Sequence, residues 1–152
     1  MSANLTLVSS MGLSLTLFIS GCSGVVPANL GVKDGKLAPC PATPNCVSSL
    51  SSDQEHGIAP LPFTGSATEA MARLKNIIAR MKRSGIIVET GTYIHAEYRS
   101  ALFRFVDDVE FLIDDNGKVI HVRSASRLGR SDFGVNRKRI EDIRAAWKDG
   151  GK

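Results

Sequence analysis

The stretch Val109–Arg123, VEFLIDDNGKVIHVR, decides the fold, because two apolar-alternating runs flank the turn signal Asp115-Asn116-Gly117. Asn-Gly suits the positive φ angles of a two-residue type I′ hairpin loop. With Asn116 and Gly117 as the loop, Ile113 faces Ile120, Phe111 faces Val122 and Glu110 faces Arg123. The first two pairs share one face with Val109, which the pattern predicts to be buried. The other face carries Glu110 and Arg123, with Asp108 and His121 as neighbours.

Working outward, strands are expected over residues 104–114 and 118–126 around this turn, preceded by strands over 86–90 and 93–99. In the 93–99 run Tyr93, His95, Glu97 and Arg99 alternate with Ile94, Ala96 and Tyr98. Upstream, Ser66 and Glu69 have capping-box spacing. The stripe Ala67, Ala70, Met71, Leu74, Ile77, Ile78 and Met81 continues a helix for which Gly85 is a natural stop. Ile140, Ile143, Ala146 and Trp147 mark a C-terminal helix. The expected fold is α+β: a four-stranded antiparallel meander with both helices packed on its apolar face, in two layers.

The N-terminal part carries an address. The first 21 residues hold no charged side chain, and Leu13–Ile19 is an apolar run too short to span a bilayer. Ile19-Ser20-Gly21-Cys22 has the arrangement of a bacterial lipobox. Residues 1–21 are therefore expected to be a lipoprotein signal peptide, although no Lys or Arg precedes its core, and Cys22 the lipidated first residue of the mature chain. Residues 22–36 read as a flexible tether and 37–152 as one domain, with 37–63 an irregular arm. The expected location is the bacterial cell envelope, anchored by lipid and facing the periplasm or exterior.

Two cysteines remain, in Cys40-Pro41-Ala42-Thr43-Pro44-Asn45-Cys46. In an oxidising compartment a local disulfide is the simplest arrangement. A metal site with His56, His95 or His121, a redox dithiol with unusual spacing, and two free thiols are the alternatives. The formal charge of +4 suits anionic ligands or membrane surfaces and does not by itself argue for nucleic acid.

The densest chemistry follows the hairpin. Arg123, Arg127 and Arg130, with Ser124, Ser126 and Ser131, precede Asn136 and Arg137-Lys138-Arg139. If Asn136 caps the last helix, three cations crowd its positive pole, and a bound anion would relieve them. If the helix starts earlier, at Asp132, those cations face solvent or pair with Asp107, Asp108 and Glu110. The candidate ligand residues are Arg123, Ser124, Ser126, Arg127, Arg130, Asn136 and Arg137. Asp107 and Asp108 point to opposite faces of a strand and cannot readily act together. The cysteines are otherwise engaged and no G-x-S-x-G elbow is present.

The expectation is a non-enzymatic envelope protein without cofactor or metal. It would bind an anionic small molecule, a lipid head group or a partner protein through the polar sheet face and the Arg-rich loop. The alternative is a small hydrolase or transferase using Asp108, Glu110 and His121 around Arg123, with His95 a further histidine on that face.

Several segments in order carry a family likeness: Leu37-Ala38-Pro39-Cys40-Pro41, Pro44-Asn45-Cys46-Val47-Ser48-Ser49, Ile58-Ala59-Pro60-Leu61, Phe105–Phe111, Arg123–Arg127 and Asn136–Glu141. Together they resemble the domain of unknown function 1499 family over nearly all of Leu37–Trp147. The resemblance implies a domain that is often exported or membrane-associated, and it implies no catalytic residues.

Overall fold

The hairpin forms in the expected register, with Ile113 opposite Ile120, Phe111 opposite Val122 and Glu110 opposite Arg123. The computed structural model describes residues 23–149; the expected signal peptide and Cys22 lie outside them. The turn itself differs from a two-residue loop. Asp114 pairs with Val119, so residues 115–118 form a four-residue loop, and the positive φ falls on Lys118. Both loops are centred between Asn116 and Gly117, which is why the register is unchanged. Gly117 is needed for close approach, since a Cβ there would sit 2.6 Å from Asp114 Oδ2. Asp114 Oδ1 accepts the Gly117 N–H at 2.9 Å.

In chain order the elements are β1 (Val32–Lys33), β2 (Lys36–Leu37), β3 (Cys46–Ser48), β4 (Leu61–Pro62), α1 (Ala67–Arg80), β5 (Ser84–Glu89), β6 (Tyr93–Arg99), β7 (Val106–Asp114), β8 (Val119–Ser126) and α2 (Val135–Asp149). The class is α+β with an antiparallel main sheet, and the four-strand expectation is corrected to six. The sheet order is β3-β8-β7-β6-β5, with β4 also paired to β8. Cys46–Ser48 runs along Ala125–Arg123, and Leu61–Pro62 along Ile120–Val119. The backbone groups along that edge of β8 lie in the interior and need partners, which these two short segments supply. Two or three residues are too few to show a period, so the arm appeared irregular.

Ser66 caps α1 in a complete capping box with Glu69. Ala70, Met71, Leu74 and Ile78 are buried from this helix, and Ile140, Ile143 and Trp147 from α2. They pack on Ile94, Val109, Phe111, Ile113, Ile120 and Val122 in one core. The first helix ends before Gly85. Arg83 takes φ +58°, the Ser84 hydroxyl donates to the Ile78 and Met81 carbonyls, and Gly85 already belongs to β5. No described helix is long and apolar enough to cross a membrane.

Within the stretch expected as a tether, the described part packs on the domain. β1 and β2 pair with each other, Leu37 is buried with Tyr93 and Leu112, and the Gly31 N–H donates to Glu110 at 2.7 Å. Cys40 and Cys46 form a disulfide with Cα atoms 5.6 Å apart. It closes a short loop whose Cys46 end is fixed in β3. Replacing both cysteines by serine is expected to lower unfolding stability by about 2 kcal/mol in the chain-entropy account. Denaturant titration of the oxidised protein against the double variant measures that difference.

Candidate functional site

Alternation along three adjacent strands assembles the polar face. His95 lies beside Glu110, and Glu110 beside Arg123; Glu97 lies beside Asp108, and Asp108 beside Ala125. Ala96, Val109 and Ser124 form the row between them on the opposite, core face. The polar face was expected to be exposed, and this is corrected: His95, Asp108, Glu110 and Arg123 are at most 3% exposed. The N-terminal arm covers them. Pro27, Asn29, Pro39, Cys40 and Pro41 lie with Asp108, Arg123 and Arg127 around a cavity of about 380 Å³.

Beneath that cover the charges are matched. Glu110 accepts hydrogen bonds from Arg123 at 3.0 Å, from the Tyr93 hydroxyl at 2.9 Å and from the Gly31 backbone. Asp108 accepts two bonds from Arg127, at 2.8 and 2.7 Å, and meets His95 Nε2 at 2.7 Å. Arg127 also reaches Glu97, and Arg139 pairs with Asp107. Burial pushes the Asp108 carboxyl up, but the bonds from Arg127 and His95 outweigh it and hold it below the ordinary carboxylate value. Bonding to Asp108 and then Glu97 raises Arg127 further. Burial, then the Glu110 charge, raises the Tyr93 hydroxyl.

The carboxylates Glu97, Asp108 and Glu110 face two guanidiniums, Arg123 and Arg127. Arg99 also pairs with Glu97 from the exposed edge, so with His95 uncharged three acids meet three guanidiniums and the cluster is neutral. An additional anion would find no net attraction there. Arg123 Nε has no hydrogen-bond partner among the described residues, and the adjoining cavity is roomy enough for water.

The expected ligand residues are therefore mostly engaged. Asn136 does not cap α2. The helix begins at Val135, between the two expected starts, and the Asp132 carboxylate accepts the Gly134 and Asn136 N–H groups at 3.0 and 2.8 Å ahead of it. Asn136 is buried, joining the Ser124 and Ser126 hydroxyls and the Asn45 carbonyl. Arg137 donates to the carbonyls of Gly57 and Glu55. Arg130 is exposed, and no polar partner approaches it among the described residues.

In the enzymatic alternative, Asp108, Glu110 and Arg123 do come together, but His121 does not join them. Its Nδ1 pairs with the Ser49 hydroxyl at 3.2 Å, and His95 takes the place beside Asp108. Among the described residues no three His, Cys, Asp or Glu side chains are grouped to hold a metal ion.

Sequence reasoning missed Asn45, whose side-chain N–H groups bond the Gly129 carbonyl at 2.7 Å and so tie the disulfide loop to the residues before α2. No pattern marks such a contact. It also did not place Tyr93 and Glu97 in the cluster, although their alternation with Ile94 and Ala96 was a usable signal.

Open positive charge collects elsewhere. Lys82, Arg83, Arg99, Lys138 and Arg139 line a cleft of about 320 Å³ between the end of α1, the end of β6 and the first turns of α2, against the carboxylates Asp107 and Asp142. Arg139 is held by Asp107, Lys138 by Asp142 and Arg99 by Glu97. Arg83 spends only its Nε, on the Arg99 carbonyl, and Lys82 has no polar partner among the described residues. Tyr98 forms one wall; burial pushes its hydroxyl up to about 12, so it remains a neutral donor at ordinary pH.

A family model described as a protein of unknown function, DUF1499, matches residues 36–147. No curated protein matches the chain.

Proposed function

The chain belongs to the DUF1499 family, and on that footing we propose that it is a non-enzymatic cell-envelope domain, lipid-anchored through Cys22, that binds an anionic group in the cleft lined by Lys82 and Arg83. The observation carrying this reading is the division of charge between two places. Each carboxylate of the polar sheet face is bonded to an arginine, whereas the cleft keeps cations without carboxylate partners. The engagement of His95 with Asp108 and of His121 with Ser49 supports the non-catalytic part. The lipobox sequence at Ile19–Cys22 and the disulfide, a bond favoured in oxidising compartments, support the envelope part.

Phosphate and carboxylate groups share the chemistry the cleft offers, a guanidinium fork and an ammonium within one concavity. Inorganic phosphate is the simplest probe. The variant Lys82→Gln/Arg83→Gln removes two exposed charges and leaves the buried network intact, so stability should stay within about 0.5 kcal/mol. Phosphate affinity, read by amide chemical-shift titration, should fall roughly tenfold, as expected for losing charge-assisted bonds of about 1.5 kcal/mol or more. Unchanged affinity in the folded variant would refute the cleft as the site.

A further inference from the structure

One end of the sheet combines features that the fold does not require. There β6 passes to β7 through residues 100–105, and β8 passes to α2 through residues 127–134. The two loops are neighbours, because the Arg127 N–H donates to the Val106 carbonyl at 3.1 Å. Leu102 is 79% exposed, Phe103 62% and Phe133 97%. Phe105, Leu128 and Val135 add further apolar surface at the same end. Among the described residues, the three phenylalanines outside the core all lie in these loops.

Phe133 adopts φ +53°, a conformation unfavourable for a bulky residue and commonly given to Gly or Asn. A side chain almost wholly in water, on a strained backbone, contributes nothing to packing. An exposed aromatic on such a backbone is accounted for by contact with a partner outside the chain.

The exposed charged side chains of the two loops themselves have one sign. Arg104 and Arg130 are exposed in the loops, and the cleft with Lys82 and Arg83 includes Ser100 of the first loop. Asp132, the one carboxylate in the two loops, is turned inward to cap α2. The chain also enters here. A Cβ on Gly24 would lie 2.9 Å from Arg127 Cβ and 3.1 Å from Leu128 Cγ, so the backbone at Gly24 rests against the second loop. In the sequence Cys22 precedes Gly24 by two positions.

We propose that this end of the sheet is a membrane-interfacial surface that lies on an anionic phospholipid bilayer, with the aromatic tips at head-group depth. Exposed aromatic and aliphatic tips ringed by Lys and Arg are what such an interface selects. The surface would present the cleft to phosphate head groups, so the inference rests on the anion-binding reading for the ligand class and on the Cys22 anchor for orientation. It extends both by naming the source of the anion.

The test is hydrogen exchange of the full chain reconstituted in vesicles of phosphatidylglycerol, compared with phosphatidylcholine vesicles and with detergent. Amides of residues 100–105 and 128–135 should exchange at least about threefold more slowly on phosphatidylglycerol. The variant Phe103→Ser/Phe133→Asn should lose that protection while remaining folded, both positions being exposed. Equal exchange in these loops in all three settings would overturn the proposal, as would protection that is the same on both lipids. Phosphate titration of the same samples separates the two readings. Phosphate binding without loop protection overturns the membrane surface alone, and loop protection without phosphate binding supports the surface and overturns the cleft.

Discussion

Arg123→Ala should unfold at substantially lower denaturant than the wild type, with a loss of roughly 3–5 kcal/mol and a fall in Tm of roughly 10–20 °C. Arg123 is 3% exposed and its carboxylate partner Glu110 is fully buried. Truncation leaves the Glu110 charge with only the Tyr93 hydroxyl and the Gly31 N–H, in a setting where an uncompensated ion costs more than the pair contributes. The double variant Glu110→Leu/Arg123→Met removes both charges and fills a similar volume. Its stability should return to within about 1–2 kcal/mol of wild type, since a buried pair is worth little net against packed apolar side chains. Thermal and denaturant unfolding of the three proteins gives the comparison. A single variant as stable as wild type would mean that the polar face is wetter than its burial implies.

The second large effect is expected at Arg127, which holds two acids, Asp108 and Glu97. Arg127→Ala should also cost roughly 3–5 kcal/mol at neutral pH, and its pH dependence identifies the cause. Asp108 titrates below the ordinary carboxylate value in the folded protein. A depressed carboxyl adds stability above its unfolded value of about 4 and loses it as pH falls through the folded one. In the variant the guanidinium is gone and burial disfavours the Asp108 charge, so acid relieves the destabilisation. The gap between the two proteins should therefore narrow progressively as pH falls toward and then below about 4. A gap independent of pH would assign the loss to packing of the Arg127 side chain.

The sheet register was legible because independent signals coincided: the Asn116-Gly117 centre, the apolar pairs Ile113–Ile120 and Phe111–Val122, and the opposed charges Glu110 and Arg123. The two helices were legible from their stripes and from the Ser66–Glu69 box. What covers the polar face was not. A Pro- and Gly-containing segment such as residues 24–41 has no period, and its docking rests on contacts such as Gly31 to Glu110, 79 residues apart in the chain. Without the cover, Asp108, Glu110 and Arg123 resemble an open cluster of functional groups; with it, they form a buried ionic layer.

The same long-range information reassigned the basic segment. Arg127 and Arg139 had no certain partner in the sequence, because the strand that supplies Glu97 and the depth of Asp107 and Asp108 depend on tertiary pairing. Conversely nothing in the sequence singles out Lys82 and Arg83. Only their position against the start of α2 brings them together with Lys138 and Arg139. Burial sorted the charges, and the exposed remainder defines the surface proposed to work.

The separation of an ionic scaffold from a binding end is tested most directly by titrating inorganic phosphate into Glu110→Leu/Arg123→Met and following amide shifts. The predicted result is an affinity within about twofold of wild type, equivalent to less than about 0.5 kcal/mol, with shifts confined to the neighbourhood of Lys82, Arg83, Ser100 and Lys138. Loss of phosphate binding in a double variant that remains folded, or wild-type shifts centred on His95, Asp108 and Arg123, would contradict it.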